Sequence, residues 1–275
     1  MGCGDGSIAI VVGSACDHFA EFRLRLASVR IGSLPDSELR IMPIVPKRAK
    51  GALKIGVNVD DHSQDVVPIA RLEPTGARLL GTGVVVAEGL LATALHTIGA
   101  DDRNVVVIPP RHDNIDVYQD PSDRRVSTVP VKLVGADPFR DLCLIQLPPE
   151  VRYQAHISIG GTDEIPTGAA VTAWGFPHAN NGRMVLTVQR SHIGARVMLE
   201  NSTIKSKHII LNTQTTRGQS GSPVFAIETG RLVAIIVGSY APGAGSGIRL
   251  GDIDPFTLHQ TTHAVSAEYI GEMLS

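Results

Sequence analysis

The chain is a succession of short aliphatic runs, each closed off by Gly, Pro, Asn or Asp. The runs fall at 66–71, 82–87, 90–94, 104–109, 129–134, 142–147, 169–174, 184–189, 208–213, 223–227 and 231–238. Each has the length of a strand rather than of a core helix, and valine stretches such as Val84–Val86 and Val105–Val107 suit extended backbone. Many short strands with turn signals between them predict an all-β barrel or sandwich. Aromatic residues make up only 4% of the 275 residues, so the interior must be aliphatic. One helix is expected at the end of the chain. There Ile270, Met273 and Leu274 share a face and Ser266 stands where a capping hydroxyl would.

Charge narrows the function classes. Lys and Arg number 25 against 27 Asp and Glu, a net charge of −2, and no basic stripe appears. A nucleic-acid partner is therefore not expected. No apolar stretch is long enough to span a bilayer as a helix. The three cysteines, Cys3, Cys16 and Cys143, form no CxxC pair, so neither a disulfide framework nor a zinc site is indicated. The Ile8–Ala15 run is preceded by Asp5 and by no Lys or Arg, unlike a secretory signal, and it reads as a short buried strand. With the thiol count, this favours the cytoplasm over secretion or a lipoprotein anchor. Pro35, Pro43 and Pro46 interrupt the stretch before residue 65, and Lys47–Lys50 reads as a solvated loop.

Three segments carry chemistry. Gly81 to His96 reads as a strand, a Glu-Gly turn and a second strand ending in a histidine, and a strand end presents a base rigidly. Asp141 immediately precedes the apolar run that starts at Leu142; a carboxylate there needs a donor partner, and an imidazole N–H would serve. Asp137 competes for that role, but it precedes Pro138 and suits a turn. Ser220 lies between Gly218 and Gly221, where glycines permit an unusual backbone, so that the Gly218 and Ser220 amides could converge on one oxygen. A serine hydroxyl needs a base within hydrogen-bond reach and the base needs an orienting group; His96, Asp141 and Ser220 supply these roles. The remaining histidines, among them His62, His112, His178 and His208, show no ligand spacing and read as structural.

These segments resemble the trypsin-like (chymotrypsin-fold) serine peptidases of bacterial type, both HtrA-like and glutamyl endopeptidase-like. The likeness rests on TALH ending at His96, RDLCLIQL from Arg140 and RGQSGSPVF from Arg217. The strand Arg231–Gly238 and the approach to the last helix from Ala264 add to it. The order His, Asp, Ser is that of the chymotrypsin type, not of subtilisins or α/β-hydrolases. The resemblance covers roughly residues 65–275. It implies two six-stranded antiparallel β-barrels, one at about 65–160 and one at about 161–275, with the active site between them and a C-terminal helix. It further implies a serine endopeptidase acting on protein or peptide substrates, with no cofactor or metal. Residues 1–64 carry no resemblance and no assigned role.

The resemblance also places a specificity pocket. It would be lined by Gln214, Thr215, Val237, Gly238, Ser239, His263 and the glycine-rich loop 243–247. With Gln214 at the expected base, preference for Arg or Lys is disfavoured and a small or aliphatic P1 residue is expected. Gln219 replaces the family's usual Asp or Asn and cannot pair with a new N-terminal amine, so activation by cleavage is not expected. The alternative is a peptide-binding scaffold with little turnover, against which the complete set of three groups argues.

Overall fold

In the computed structural model, residues 27–30, 61–151, 153, 155–240 and 261–275 are described. Their strands are β1 (Ala27–Arg30), β2 (Val66–Glu73), β3 (Gly76–Ala87), β4 (Leu90–Ala94), β5 (Val105–Val107), β6 (Arg125–Pro130), β7 (Lys132–Asp137) and β8 (Leu142–Gln146). They continue with β9 (Ala170–Gly175), β10 (Thr187–Asn201), β11 (Ile204–Leu211), β12 (Pro223–Ala226), β13 (Leu232–Tyr240) and β14 (Thr261–Ser266). The short helix α1 (Leu95–Ile98) follows β4, and α2 (Glu268–Leu274) ends the chain.

The last six strands close into a barrel in the order β10-β11-β14-β13-β12-β9. The first eight form one sheet, ordered β1-β6-β5-β2-β3-β4-β8-β7. The expected pair of six-stranded barrels is thus met in one half, while the other half is an eight-stranded sheet. Two residue-level causes account for the difference. Ala27–Arg30, within the segment left without a role, pairs antiparallel with Arg125–Thr128. The run read at 129–134 is two strands, broken at the buried Val131, whose amide donates to the Val105 carbonyl at 3.2 Å. β7 therefore ends one side of the sheet while β6 lies next to its other end, with one residue between them. The sheet has to curl for the chain to make that connection.

Burial explains why the strands read as unbroken apolar runs. In β8, Leu142 and Leu144 join one cluster and Cys143 and Ile145 another. Alternate side chains thus meet different cores, and no face is left for polar residues. Val171, Ala173, Ile209, Val224 and Ala264 fill the closed barrel. Trp174, Phe225, Leu232 and Ile235 of the barrel strands pack with Val66, Val84 and Leu142 of the first sheet, which joins the halves. The one tryptophan packs at this seam, not in the interior of the closed barrel.

β10 is the strand that the sequence shows least. The run at 184–189 meets only its start, and the strand continues to Asn201 with exposed residues at alternate positions. Beyond the bulge between Ile193 and Ala195 it pairs with β11 as a ribbon, turned by Ser202 and Thr203, both at positive φ. Ser266 also differs from expectation. It ends β14, so Ala267 precedes α2 with no side-chain cap. The Ser266 hydroxyl instead accepts from the Thr162 amide at 3.0 Å and donates to Glu268 Oε2 at 3.2 Å. The helix face itself is as expected, with Ile270 buried and Met273 and Leu274 packed against the core.

Candidate active site

β4 pairs antiparallel with β8, Ala94 opposite Leu142. That register sets the residues just beyond each strand side by side: His96 in the first turn of α1, and Asp141 before β8. Asp141 adopts φ 56°, an uncommon left-handed conformation for a non-glycine residue. The conformation turns both its carbonyl and its carboxylate toward α1. Leu95 N donates to the Asp141 carbonyl at 2.9 Å and His96 N to Asp141 Oδ1 at 2.8 Å. The other carboxylate oxygen lies 2.5 Å from His96 Nδ1. On the opposite side of the ring, His96 Nε2 is 2.8 Å from Ser220 Oγ. The structure thus brings together all three residues, two from the first sheet and one from the barrel half.

The hydrogen bond from Asp141 raises the His96 pKa above its ordinary value, with the carboxylate's charge adding to the effect and partial burial opposing it. Asp137 has the turn role expected of it. Its Oδ1 accepts from the Phe139 and Arg140 amides at 3.0 and 3.1 Å, and its Oδ2 from Arg140 Nη1 at 2.7 Å. Cys143, two residues past Asp141 in β8, is buried, and burial pushes its thiol up to about 12, as expected of a core cysteine.

Around Ser220, two glycines meet real steric demands. Gly218 has φ 100°, and a Cβ there would run into the Phe176 carbonyl and the Ala179 amide. Gly221 has φ 84° and backs onto the Thr82 carbonyl. The peptide planes of the turn are held from behind. Arg217 O accepts from His178 N at 2.8 Å, and Gln219 O from Ser222 N at 3.0 Å. In a trans peptide the N–H points opposite to its carbonyl. The Gly218 and Ser220 amides therefore face away from those bonds, and neither donates to a backbone carbonyl among the described residues. Thr82 supports the same turn. Its amide donates to Ser220 O at 2.9 Å and its hydroxyl to Gly218 O at 2.9 Å.

A family model described as a trypsin-like peptidase domain matches residues 81–235, over half of the chain. The chain belongs to the trypsin-like peptidase domain family. This trypsin-like domain is 25% identical over 167 residues to proteins named "Probable periplasmic serine endoprotease DegP-like" from Brucella suis and Brucella abortus. The match covers 60% of this chain and 29% of theirs, so the trypsin-like domain corresponds to under a third of their length. Among solved structures, the MamO protease domain of Magnetospirillum magneticum superposes with a TM-score of 0.56 at 17% identity, over 78% of this chain and 97% of that one. The HtrA-type protease AlgW, solved with a tripeptide, gives 0.53 at 22%, over 77% and 59%. These likenesses establish the all-β chymotrypsin-like fold.

Of the expected pocket residues, Thr215 is half-buried and Gln214 exposed. The Thr215 hydroxyl lies 3.2 Å from that of Thr262, which also reaches Thr213 O at 2.7 Å. Gly238 of β13 lies opposite His263 of β14, with a bulge at Val237. Burial lowers the His263 pKa. The Ser239 side chain and the 243–247 loop lie outside the described residues. Sequence reasoning missed Thr82, which holds two carbonyls of the turn through its amide and hydroxyl; His178 has the structural place expected of it, its amide on Arg217 O. The only trace of Thr82 was its place between Gly81 and Gly83. No helix among the described residues is long and apolar enough to cross a membrane.

Proposed function

We propose that the chain is a serine endopeptidase hydrolysing peptide bonds in proteins, with Ser220 as nucleophile, His96 as general base and Asp141 as its orienting group. The contact that carries the reading is the unbroken relay from Asp141 Oδ2 through His96 to Ser220 Oγ, at 2.5 and 2.8 Å. Ser220 Oγ attacks the scissile carbonyl while His96 Nε2 takes its proton. The carbonyl oxygen, now negative, is received by the outward-facing Gly218 and Ser220 amides. His96 then gives the proton to the leaving amine, which departs as the acyl–Ser220 ester forms. Water attacks that ester by the same proton route in reverse. Asp141 keeps its charge throughout and stabilises the imidazolium.

The peptidase unit would run over 65–275, its halves dividing near residue 160. The six-stranded first barrel follows if β6 and β7 act as one strand bent at Val131: β5, β2, β3, β4 and β8 then complete a ring of six, with β1 added outside. Gln214, Thr215, Val237, Gly238, Ser239 and His263 would line the specificity pocket, favouring a small or aliphatic P1 residue. The DegP-like relatives carry "periplasmic" in their name. We infer that side of the membrane for this chain in place of the cytoplasm that the sequence favoured; residues 1–26 lie outside the described residues.

Turnover separates the peptidase from a peptide-binding scaffold. Incubation with an unfolded protein, followed by mass spectrometry of the products, is expected to give new termini with wild type and none with Ser220→Ala. Equal product from both proteins, or none from wild type, would rule the reading out.

A further inference from the structure

The turn that presents Ser220 is shaped by the residue before it, and that residue is a glutamine, 1% exposed. A buried side-chain amide needs partners for both its oxygen and its nitrogen. Gln219 Oε1 accepts from Thr216 N at 2.8 Å. Because a backbone N–H can only donate, this contact fixes the orientation of the amide and points Nε2 the other way. There Nε2 donates to Gln189 Oε1 at 2.7 Å. Gln189 belongs to β10, where it pairs with Ala173 of β9, a residue of the barrel core. The turn backbone is therefore fastened to the barrel wall by two glutamines in series, with no charge in the link.

We propose that Gln189 is a positioning residue for the nucleophile turn. Gln189 holds Gln219, Gln219 holds the Thr216 amide, and the 216–220 backbone is thereby kept with the Gly218 and Ser220 amides facing outward. Gln189 touches no reacting atom; it acts through Gln219. A link of two neutral amides has no place for an ammonium group. The shape of the turn should then be independent of the protonation of any chain terminus. This inference rests on the reading of Ser220 as nucleophile for its kinetic consequence, but not for its structural one.

Two measurements on the full chain test it and keep the two readings apart. The variants are Gln189→Met, which keeps the length and removes the acceptor, and Gln189→Glu, which keeps an acceptor; Gln189→Ala replaces the first should it not fold. Hydrogen exchange over peptides covering 214–221 is expected to quicken in Gln189→Met and to return toward wild type in Gln189→Glu, with no change in β2–β5. Labelling by a fluorophosphonate is expected to lose about tenfold or more in its limiting rate in Gln189→Met, since a small misplacement near the reacting atoms is costly, with its half-saturating concentration little altered. Gln189→Glu should recover most of that loss. Unchanged exchange over 214–221 in Gln189→Met overturns the proposal, whether or not the protein labels. Faster exchange over 214–221 in Gln189→Met, with a wild type that never labels, would uphold the clasp and sink the nucleophile reading alone.

Discussion

At the scale of single residues, the pH response of the site is set at His96. Its hydrogen bond to Asp141 raises its pKa above the ordinary 6.5, so the imidazole holds a proton to higher pH than a free histidine. Only the neutral ring can accept the Ser220 proton. The rate of acylation should therefore fall as pH drops through a value above 6.5 and level off on the alkaline side. Asp141→Asn removes both the hydrogen bond to the charged form and the charge. It should move that acid limb to lower pH and reduce the limiting rate about 10⁴-fold, because the tautomer presented to Ser220 is wrong. A labelling-rate profile from pH 5 to 9 checks both; an unshifted limb in Asp141→Asn would contradict the assigned role. That His96, Asp141 and Ser220 would meet was legible in the sequence, because the chemistry proposed for them restricts residue type so tightly. Thr82 and Gln189 were not, because their work is to hold backbone carbonyls or another side chain, and many residue types occur in such places.

At the scale of elements, legibility followed burial. β8 was visible as Leu-Cys-Leu-Ile because both its faces meet a core, and β4 and β12 likewise. The outer part of β10 was invisible because it is solvated: Met198 to Asn201 are all exposed, and apolar and charged residues mix there without an unbroken aliphatic run. β6 and β7 merged into one run because the break between them is a buried valine, not a turn residue. The neighbour of β10 carries a pH effect of its own. In β11, His208 is 7% exposed; its Nε2 lies 3.0 Å from Ser206 Oγ and its Nδ1 is buried without a partner among the described residues. Burial pushes its pKa down to about 4, and nearby His263 adds to the shift. Between about 6.5 and about 4 the unfolded chain binds a proton here that the native barrel refuses, so stability rises with pH across that window and is lost as pH falls through it. The full effect is on the order of 3 kcal/mol. His208→Leu should narrow the difference in chemical-denaturation stability between pH 7 and pH 4.5; an unaltered difference would show that this histidine does not titrate as described.

At the scale of the whole molecule, the site exists only because two halves meet. The relay crosses the seam between them: Asp141 and His96 come from the first sheet, Ser220 from the closed barrel. The seam is fixed by large side chains and by hydrogen bonds across it, such as those that the Thr82 amide and hydroxyl donate to Ser220 O and Gly218 O. It also includes the last residues of the segment that the sequence left unassigned. His62 stacks on Phe225 at 3.7 Å between ring centroids, sits edge-on to Trp174 at 5.6 Å and contacts Asp65 Oδ2 at 3.3 Å. Nothing in the sequence around His62 marked it as an anchor, since the two rings it packs on, Trp174 and Phe225, lie more than a hundred residues away. The measurement that tests the account most directly is the site of covalent capture. Native protein treated with a fluorophosphonate, then digested and mapped, should carry one adduct, on Ser220. The adduct should be absent in Ser220→Ala and formed far more slowly in His96→Ala. No adduct on native protein, or an adduct on another residue that survives Ser220→Ala, would contradict the account.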